Sequence, residues 1–196
     1  MTPAPTTRAR RFDKTDWLDF GLSRLASDGP EALKLTALVQ AAGKTIGSFY
    51  HHFEDQSGFF RALMHHWRDT STRSIMAALD TIPDPAQKAD RLMDLATQLD
   101  VAVEMGVRNF ASQNPIAATS VAEVDALRID YVSRIYAQRF ALPLPEALDL
   151  ARLEYAAYIG TQMLFRDQYD TVAPTLATLF QRLLRAEMTR PATKTV

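Results

Sequence analysis

Residues 34–58 read KLTALVQAAGKTIGSFYHHFEDQSG, and this stretch predicts the fold of the N-terminal part of the chain. Two short helical patterns flank Ala42 and Gly43, where glycine allows a tight turn. The second pattern carries small, hydroxyl-bearing and aromatic residues where an amphipathic surface helix would carry Glu and Lys. Because bulky side chains would hold a helix away from base edges in the major groove, this composition favours a helix-turn-helix.

Several side chains of this stretch are suited to contact DNA. Thr45 is expected to cap the third helix by accepting a hydrogen bond from the Ser48 amide, and Gly47 permits close approach of the backbone. Tyr50 carries a hydroxyl that can donate to a phosphate. The candidate DNA-binding residues are Arg10, Arg11, Lys34, Lys44, Thr45, Gly47, Ser48, Tyr50 and His51. The alternative is a plain three-helix core without a nucleic-acid partner.

The segment 29–60, GPEALKLTALVQAAGKTIGSFYHHFEDQSGFF, resembles the DNA-binding segment of the TetR family of bacterial transcriptional regulators. The residues that match the family pattern are Gly29, Ala42, Gly43, Thr45, Gly47, Ser48, Phe49, Tyr50, His52 and Phe53. Motif-level similarity covers about residues 14–67, and the order of predicted helices agrees over the whole length. The resemblance implies a homodimeric, ligand-responsive regulator, a repressor that a small-molecule effector releases from a double-stranded DNA operator.

Three residues depart from that pattern. Lys34 stands where the family caps the second helix with Ser or Thr, and a Lys side chain cannot accept the capping hydrogen bond. Lys44 occupies a position usually held by an apolar residue, and Gln56 stands where a Lys commonly contacts a phosphate. These departures leave open a second function, a small-molecule binding protein of the same fold with weak or lost operator binding.

Composition indicates a cytoplasmic globular protein. The chain has 196 residues, 47% hydrophobic and 23% charged, and lacks cysteine, which excludes disulfides and thiolate metal sites. The N-terminal stretch has no apolar region typical of a signal peptide, and no apolar run predicts a membrane span. Residues 1–53 carry a net charge of +2 and the remainder −3, and this asymmetry suits a polyanionic partner.

Hydrophobic periodicity predicts an all-α fold with helices over 14–28, 35–42, 46–51 and 57–80. Further helices are expected to end near Ala111, Phe140, Asp167 and Met188. Residues 1–55 would form a three-helix DNA-binding head with a basic N-terminal arm. The long fourth helix would join this head to a larger ligand-binding and dimerisation body, residues 56–196.

The body is rich in Met and aromatic residues, and the resemblance implies that it encloses a ligand pocket. The candidate ligand-binding residues are Trp67, Met105, Phe110, Tyr131, Tyr155 and Met163, although most residues of these types must form core. No phosphate-binding loop, nucleophile elbow or zinc-protease motif occurs, so we predict no enzymatic activity and no cofactor. The paired histidines, His51-His52 and His65-His66, lack carboxylates at ligand spacing, and no metal site is predicted.

The resemblance further implies that the last two helices, about residues 145–167 and 173–189, pair with those of a second copy in a four-helix bundle. Apolar and small residues form a stripe on each helix. They are Ala151, Tyr155, Ala156, Ile159, Gly160 and Met163 on the first, and Leu176, Leu179, Phe180, Leu183 and Leu184 on the second. Packing within one chain is the alternative use of these stripes.

Overall fold

The computed structural model describes residues 12–188, and within that range every regular element is a helix, which confirms the all-α prediction. The α-helices of that range are α1 (Lys14–Asp28), α2 (Leu35–Ala41), α3 (Ile46–Tyr50), α4 (Gln56–Arg68), α5 (Ser74–Asp80), α6 (Pro85–Thr97), α7 (Val101–Ala111), α8 (Pro115–Phe140), α9 (Leu144–Leu164) and α10 (Tyr169–Met188). Short 3₁₀ turns lie at Pro30–Leu33 and Arg166–Gln168. The candidate residues Arg10 and Arg11 lie outside the described residues.

The first three helices enclose an aromatic core. α1 begins with reciprocal capping, in which Asp13 and Asp16 each accept a hydrogen bond from the other's backbone N–H, at 3.0 and 2.8 Å. Gly43 joins α2 to α3 with φ of +62°, a left-handed conformation that favours glycine. The fully buried rings of Trp17 and Phe49 meet edge to face at 5.6 Å, so the core holds α3 against α1.

A continuous helical run joins these helices to the rest of the molecule. It comprises α4, a π-helical turn at Asp69–Arg73, and α5. In the π turn, the N–H of Ser74 bonds to the carbonyl of Asp69 five residues earlier, so the turn holds one residue more than an α-helical turn. The sequence predicted this run as one helix over 57–80 and did not predict the π turn.

The helix predicted to end near Ala111 is two helices, α6 and α7, and the prediction of one was wrong. Asp100 accepts hydrogen bonds from the N–H groups of Ala102 at 2.8 Å and Val103 at 3.4 Å. A short acidic side chain that caps a new helix competes with continuation of the old one. The local cap therefore outweighs the apolar pattern, which continues through the break.

The N-terminal helices share their core with α7 and α8. Gly106 of α7 lies so close to α1 that a Cβ atom there would stand 2.7 Å from the carbonyl oxygen of Leu25. Val107 and Phe110 are buried in the same apolar cluster as Trp17. The core is therefore continuous across the predicted boundary between head and body, and that boundary stays a prediction.

The last two helices carry long apolar side chains on their exposed faces. On α9, Leu153 and Leu164 are exposed, three helical turns apart. On α10, Leu176, Leu179 and Leu183 are exposed at a spacing that places them on one face. None of the helices within residues 12–188 is both long and apolar enough to cross a membrane.

The two stripes predicted from sequence require correction. Ala151 is fully buried and Leu184 is 3% exposed, so both face the interior of the chain. Tyr155 also points inward, because its hydroxyl donates to Asp125 at 2.6 Å. Helical period alone did not distinguish the inward face from the outward face, since both faces of these helices carry apolar residues.

Candidate functional site

A cavity of about 110 Å³ lies between α5, α6, α8, α9 and α10. Its wall is mostly apolar, and Ile75, Met76, Leu92 and Met93 contribute to it. The larger polar side chains of the wall are Arg128, Tyr131, Tyr136, Glu154, Tyr155, Tyr158 and Gln181. An apolar cavity with a few convergent polar groups is the usual form of a small-molecule site, and this one has room for several waters or a small organic molecule.

A network of buried charges reaches the cavity wall. Glu104 is 3% exposed and accepts hydrogen bonds from Arg108 Nε at 2.9 Å and Arg128 Nη1 at 3.2 Å. Arg108 donates through both Nη atoms to Asp125, at 3.1 and 2.6 Å. The Tyr155 hydroxyl donates to Asp125 and accepts from Arg128 Nη1 at 3.2 Å. The two cations and two anions neutralise one another, as buried charges require.

The protonation states of this network follow from the pairing. Burial is the largest influence on Arg128 and acts to lower its pKa, but Glu104, Tyr155 and Tyr158 together outweigh it and the net pKa is raised. Burial is also the largest influence on Arg108, and the hydrogen bond to Asp125 together with the charges of Glu104 and Asp125 and the neighbouring Tyr155 again leaves the pKa raised. Burial raises the pKa of Tyr155, with Arg128 opposing. Both arginines therefore stay cationic and the tyrosine stays a neutral phenol.

Arg128 connects the network to the helical run that begins at α4. Its Nε donates to Thr72 Oγ1 at 3.0 Å, and its Nη2 donates to Ser71 Oγ at 3.2 Å. The guanidinium carbon lies 5.5 Å from the ring centroid of Trp67, within the range of a cation–π contact. Ser71 and Thr72 belong to the π turn. Arg128, a side chain of the cavity wall, therefore holds this turn by hydrogen bonds to the hydroxyl groups of both residues.

A second polar cluster in the wall contains a carboxyl group with no cationic partner. Tyr136 donates its hydroxyl proton to Glu154 Oε2 at 2.6 Å, and Gln181 Nε2 lies 3.3 Å from Glu154 Oε1. Within residues 12–188, no Lys, Arg or His nitrogen lies within 4.0 Å of this carboxyl group. Burial raises the pKa of Glu154, although Tyr136, Gln181 and the charge of Arg139 oppose the shift.

Two of the six predicted ligand-binding residues, Tyr131 and Tyr155, line this cavity. Tyr131 donates its hydroxyl proton to Asp80 Oδ1 at 2.7 Å, so it also ties α8 to the end of α5. Tyr155 belongs to the charged network. Both residues therefore combine an aromatic face toward the cavity with a hydroxyl fixed by the protein.

The other four predicted ligand-binding residues do not line it. Trp67 and Phe110 belong to the apolar core beneath α1. Met105 is partly buried on α7, and Met163 is 66% exposed on α9. Bulky apolar side chains occur in cores, cavities and exposed stripes alike, so residue type did not distinguish these locations.

The charged and amide groups of the site, Glu104, Arg128, Glu154 and Gln181, were not predicted. A signal for two of them is present in the sequence. Glu104 lies in the otherwise apolar stretch VAVEMGV, residues 101–107, and Glu154 lies in LARLEYAAYIG, residues 150–160. A carboxylate within an apolar helix needs a partner or a functional role.

The exposed side chains of α3 itself are uncharged. Thr45 and Gly47 are exposed and Ser48 is half-buried, and Thr45 Oγ1 accepts the Ser48 N–H at 3.1 Å, which confirms the predicted cap. Tyr50 is 50% exposed and Ile46 is 46% exposed. A helix with so few charges on its exposed side can approach base edges without a desolvation penalty for ions.

Two residues that depart from the TetR pattern contact neighbouring groups of the protein. Lys34 forms an ion pair with Glu31, and no side chain caps the start of α2, as the sequence predicted. Gln56 Nε2 donates to the carbonyl of Leu33 at 3.1 Å. Gln56 therefore ties α4 to the turn before α2, in place of a cationic group.

The remaining candidates of the head lie at the surface beside α3. Lys44 is exposed, and its Nζ lies 5.0 Å from the centroid of the Phe12 ring. This cation–π contact holds the ammonium group near the N-terminal end of α1. His51 is also exposed, directly after the last residue of α3.

The histidines occupy different environments. His51 and His52 stack edge to face at 4.9 Å, whereas His66 Nε2 lies 2.6 Å from Asp19 Oδ1 and links α4 to α1. His65 is exposed. Across the described part of the chain, no three or more His, Asp or Glu side chains form a group that could hold a metal ion.

Comparison of the chain with protein-family models, with curated proteins and with solved structures finds no match. The functional interpretation therefore depends on the residues and geometry described above, together with the TetR resemblance of residues 29–60. Two surfaces carry that interpretation, the exposed side of α3 and the cavity that Arg128 and Glu154 line.

Proposed function

We propose that the protein is a ligand-responsive DNA-binding transcriptional regulator of the TetR type, a repressor that a small molecule releases from its operator. The observation that carries this proposal is the helical run from α4 to α5. Phe59 at its N-terminal end packs against Phe49 of α3 at 5.3 Å, and Ile75 and Met76 near its C-terminal end line the cavity. One helical run thus contacts both the candidate DNA-facing helix and the candidate effector site.

The DNA-facing side of the proposal is supported by α3. Its exposed residues, Ile46, Gly47 and Tyr50, are uncharged, and the buried Phe49 fixes its position on the core. In a complex with DNA, Thr45 and Tyr50 would donate to phosphates, while Gly47 and Ile46 would approach base edges and thymine methyl groups. Arg10 and Arg11, outside the described residues, would add phosphate or minor-groove contacts.

The effector side of the proposal is supported by Arg128. A ligand in the cavity would contact Arg128 or its neighbours, and Arg128 holds Ser71 and Thr72 of the π turn. A change in these hydrogen bonds would move the end of α4 relative to the core of the head. Because the ligand and the operator would favour different positions of α4, each should weaken binding of the other by the same factor.

The homodimer of the proposal is supported by the exposed leucines of α9 and α10. Exposed apolar side chains in contiguous stripes usually mark a surface that another protein covers. A two-fold pairing of these stripes would present two α3 helices, which would enter successive major grooves roughly 34–36 Å apart.

Selection of bound duplexes from a random DNA pool tests the proposal. The full-length protein should enrich a palindromic sequence, and Lys44→Ala and Tyr50→Phe should weaken that binding, with a salt dependence reduced by roughly one unit of slope for Lys44→Ala. Arg134→Ala is the control, because Arg134 is exposed on α8 and pairs with Asp130 away from α3. Failure to enrich any sequence over competitor DNA would rule out operator recognition.

The alternative is a small-molecule binding protein of the same fold with weak or lost operator binding. It is favoured by the ion pair of Lys34 with Glu31 and by the inward hydrogen bond of Gln56, because neither group is then fully available to a phosphate. Under this alternative the DNA selection would fail. Ligand binding in the cavity would still raise the thermal unfolding midpoint, Tm.

A further inference from the structure

The hydrogen-bond donors of Arg128 are all engaged by groups of the protein. Nε donates to Thr72, Nη1 is shared between Glu104 and the Tyr155 hydroxyl, and Nη2 is shared between Glu104 and Ser71. A guanidinium has five N–H groups, and these contacts account for them. Arg128 therefore has no donor left for an anionic ligand, and the Glu104 carboxylate already balances its charge.

The tyrosines of the cavity wall likewise donate to protein oxygens. The acceptors are Asp80 for Tyr131 at 2.7 Å, Glu154 for Tyr136 at 2.6 Å, Asp125 for Tyr155 at 2.6 Å, and the Ala96 carbonyl for Tyr158 at 3.4 Å. Each phenol has one proton to donate, so these hydroxyls have none for a ligand. What they present to the cavity is an aromatic face, which attracts cations.

The cavity wall does retain hydrogen-bond acceptors. Gln181 Oε1 is buried and has no hydrogen-bond partner among residues 12–188, while Nε2 of the same side chain contacts Glu154 at 3.3 Å and the Tyr136 hydroxyl at 3.4 Å. The Glu154 carboxylate accepts two hydrogen bonds and has capacity for more. The amide oxygen therefore lacks a donor, and the carboxylate, although it accepts from a phenol and an amide, lacks a cationic partner.

We propose that the effector is a small organic ammonium ion, a protonated primary or secondary amine on an aromatic or short alkyl body. Its N–H groups would donate to Glu154 and Gln181 Oε1, and its apolar body would pack against Met76 and Met93 and the tyrosine rings. This inference rests on the proposed function in that it takes the cavity to be the effector site. It goes further by assigning the charge and hydrogen-bonding character of the effector.

The alternative ligand classes fit this wall less well. A carboxylate or phosphate would lie beside Glu154 and would find no free donor on Arg128 or the tyrosines. A neutral alcohol could donate one hydrogen bond, but it would leave the carboxylate with only the more distant charge of Arg139, which forms no ion pair with it. An ammonium ion satisfies both acceptors and pairs directly with the carboxylate.

The test is calorimetric titration of the full-length protein in the absence of DNA. The ligands have similar shapes and differ in charge: one is a cation, one is neutral and one is an anion. The probes are 2-phenylethylammonium, 2-phenylethanol and 3-phenylpropanoate, with benzylammonium and hexylammonium to vary the body. We expect an ammonium probe to bind at least about tenfold more tightly than the alcohol and the carboxylate, since a charge-assisted hydrogen bond contributes that much. Glu154→Gln should abolish this preference.

Glu146→Gln is the matched control, since Glu146 is exposed near the start of the same helix as Glu154. It should bind the ammonium probes as the wild-type protein does. A second variant, Gln181→Met, removes the other acceptor without touching Glu154 and should also weaken ammonium binding. Retention of the helical circular dichroism spectrum shows that each variant is folded.

Three results would overturn the inference. The first is that the alcohol or the carboxylate binds as tightly as the ammonium probe. The second is that Glu154→Gln and Gln181→Met both bind the ammonium probe with wild-type affinity. The third is that no ammonium probe binds at millimolar concentration. These results are independent of the DNA selection. Ammonium binding that depends on Glu154, without an enriched DNA sequence, would overturn the proposed regulator and leave the ligand class standing.

Discussion

Glu104, which is buried, and Glu154, which is partly buried, carry carboxyl groups in opposite electrostatic situations. Glu104 lies between two arginines, and its charge is compensated within the protein. Glu154 has only a phenol and an amide as partners, and burial raises its pKa. The charge of Glu104 is thus balanced within the protein, whereas no cationic nitrogen of residues 12–188 pairs with Glu154, and the proposed ammonium ligand would supply that partner.

Glu104→Gln should destabilise the protein by about 3 kcal/mol, because it leaves Arg108 and Arg128 buried without enough negative charge. The measurement is urea denaturation followed by circular dichroism at pH 7. Glu123→Gln, an exposed carboxylate of α8, is the control and should change stability by less than about 0.5 kcal/mol. Equal stabilities of the two variants would show that the network contributes little.

Glu154→Gln should instead stabilise the unliganded protein at neutral pH. Burial raises the folded-state pKa of Glu154 above its ordinary value of 4.5, despite opposition from Tyr136, Gln181 and Arg139, so the folded protein binds this proton more tightly than the unfolded chain. The loss of unfolding free energy that ionisation of Glu154 causes is absent below the pKa of the unfolded chain, and it grows as the pH rises toward the pKa of the folded protein.

The free energy of unfolding of Glu154→Gln should therefore exceed that of the wild type at pH 7, and the difference should shrink as the pH falls through 4.5. Denaturant titrations across this pH range measure it. A difference that stays constant with pH would mean that the substitution acts through packing and not through the charge.

The sequence predicted local contacts at the residue scale better than long-range ones. The cap at Thr45 and the missing cap at Lys34 depend on residues within one turn, and both predictions are confirmed. The pairing of Glu104 with Arg128 joins residues 24 positions apart, on different helices. No short-range pattern indicates such a pair, so the most charged part of the site emerged only from the fold.

At the scale of elements, the contact between α1 and α7 fixes how the first helices lie on the rest of the molecule. Gly106 allows the two backbones to approach to a distance that no side chain would permit. The hydrophobic pattern predicted the observed bounds of α1, but it did not indicate which helix would pack over α1. Close approach at a single glycine has no periodic signature in a sequence.

Gly106→Ala should lower the free energy of unfolding by about 1–3 kcal/mol, because the added methyl group would meet the Leu25 carbonyl and the α1 backbone would have to move. Gly47→Ala is the matched control, because Gly47 is exposed in α3, a Cβ there would stand 3.8 Å from its one neighbour, Thr45 Oγ1, and unfolding is measured without DNA. In thermal unfolding measurements, Tm should be lower than that of the wild type for Gly106→Ala only. Equal Tm values would contradict the close contact.

At the scale of the whole molecule, most of the exposed large hydrophobic side chains within residues 12–188 lie on α9 and α10. Leu164 is 78% exposed and Leu183 is 58% exposed, and both lie in a helix-length stripe. The sequence predicted the two helices that carry this surface, but assigned Ala151 and Leu184 to it although both are buried. The choice between two apolar faces is made by packing of α9 against α8 and of α10 against α9, which the sequence pattern does not specify.

Leu164→Glu combined with Leu183→Glu should convert the proposed dimer into a monomer, because four buried carboxylates would face an apolar partner surface. Light scattering coupled to size exclusion measures the mass. Ile46→Glu is the control, because Ile46 is also half-exposed and apolar but lies on α3. It should leave the dimer intact, and a monomeric wild-type protein would contradict the prediction.

The π turn at Asp69–Arg73 sets the spacing along the chain between the head and the cavity. Deleting one residue within the regular helix α4 would rotate everything after it by about 100°, with a shift of about 1.5 Å. Ile75 and Met76 would then leave the cavity wall while Phe59 kept its place. Deleting one residue in the π turn would instead close it to an ordinary α-helical turn and keep the two flanking segments in phase. We therefore expect natural variants to gain or lose single residues in the π turn and not in α4, so that chain length itself is under selection in this segment.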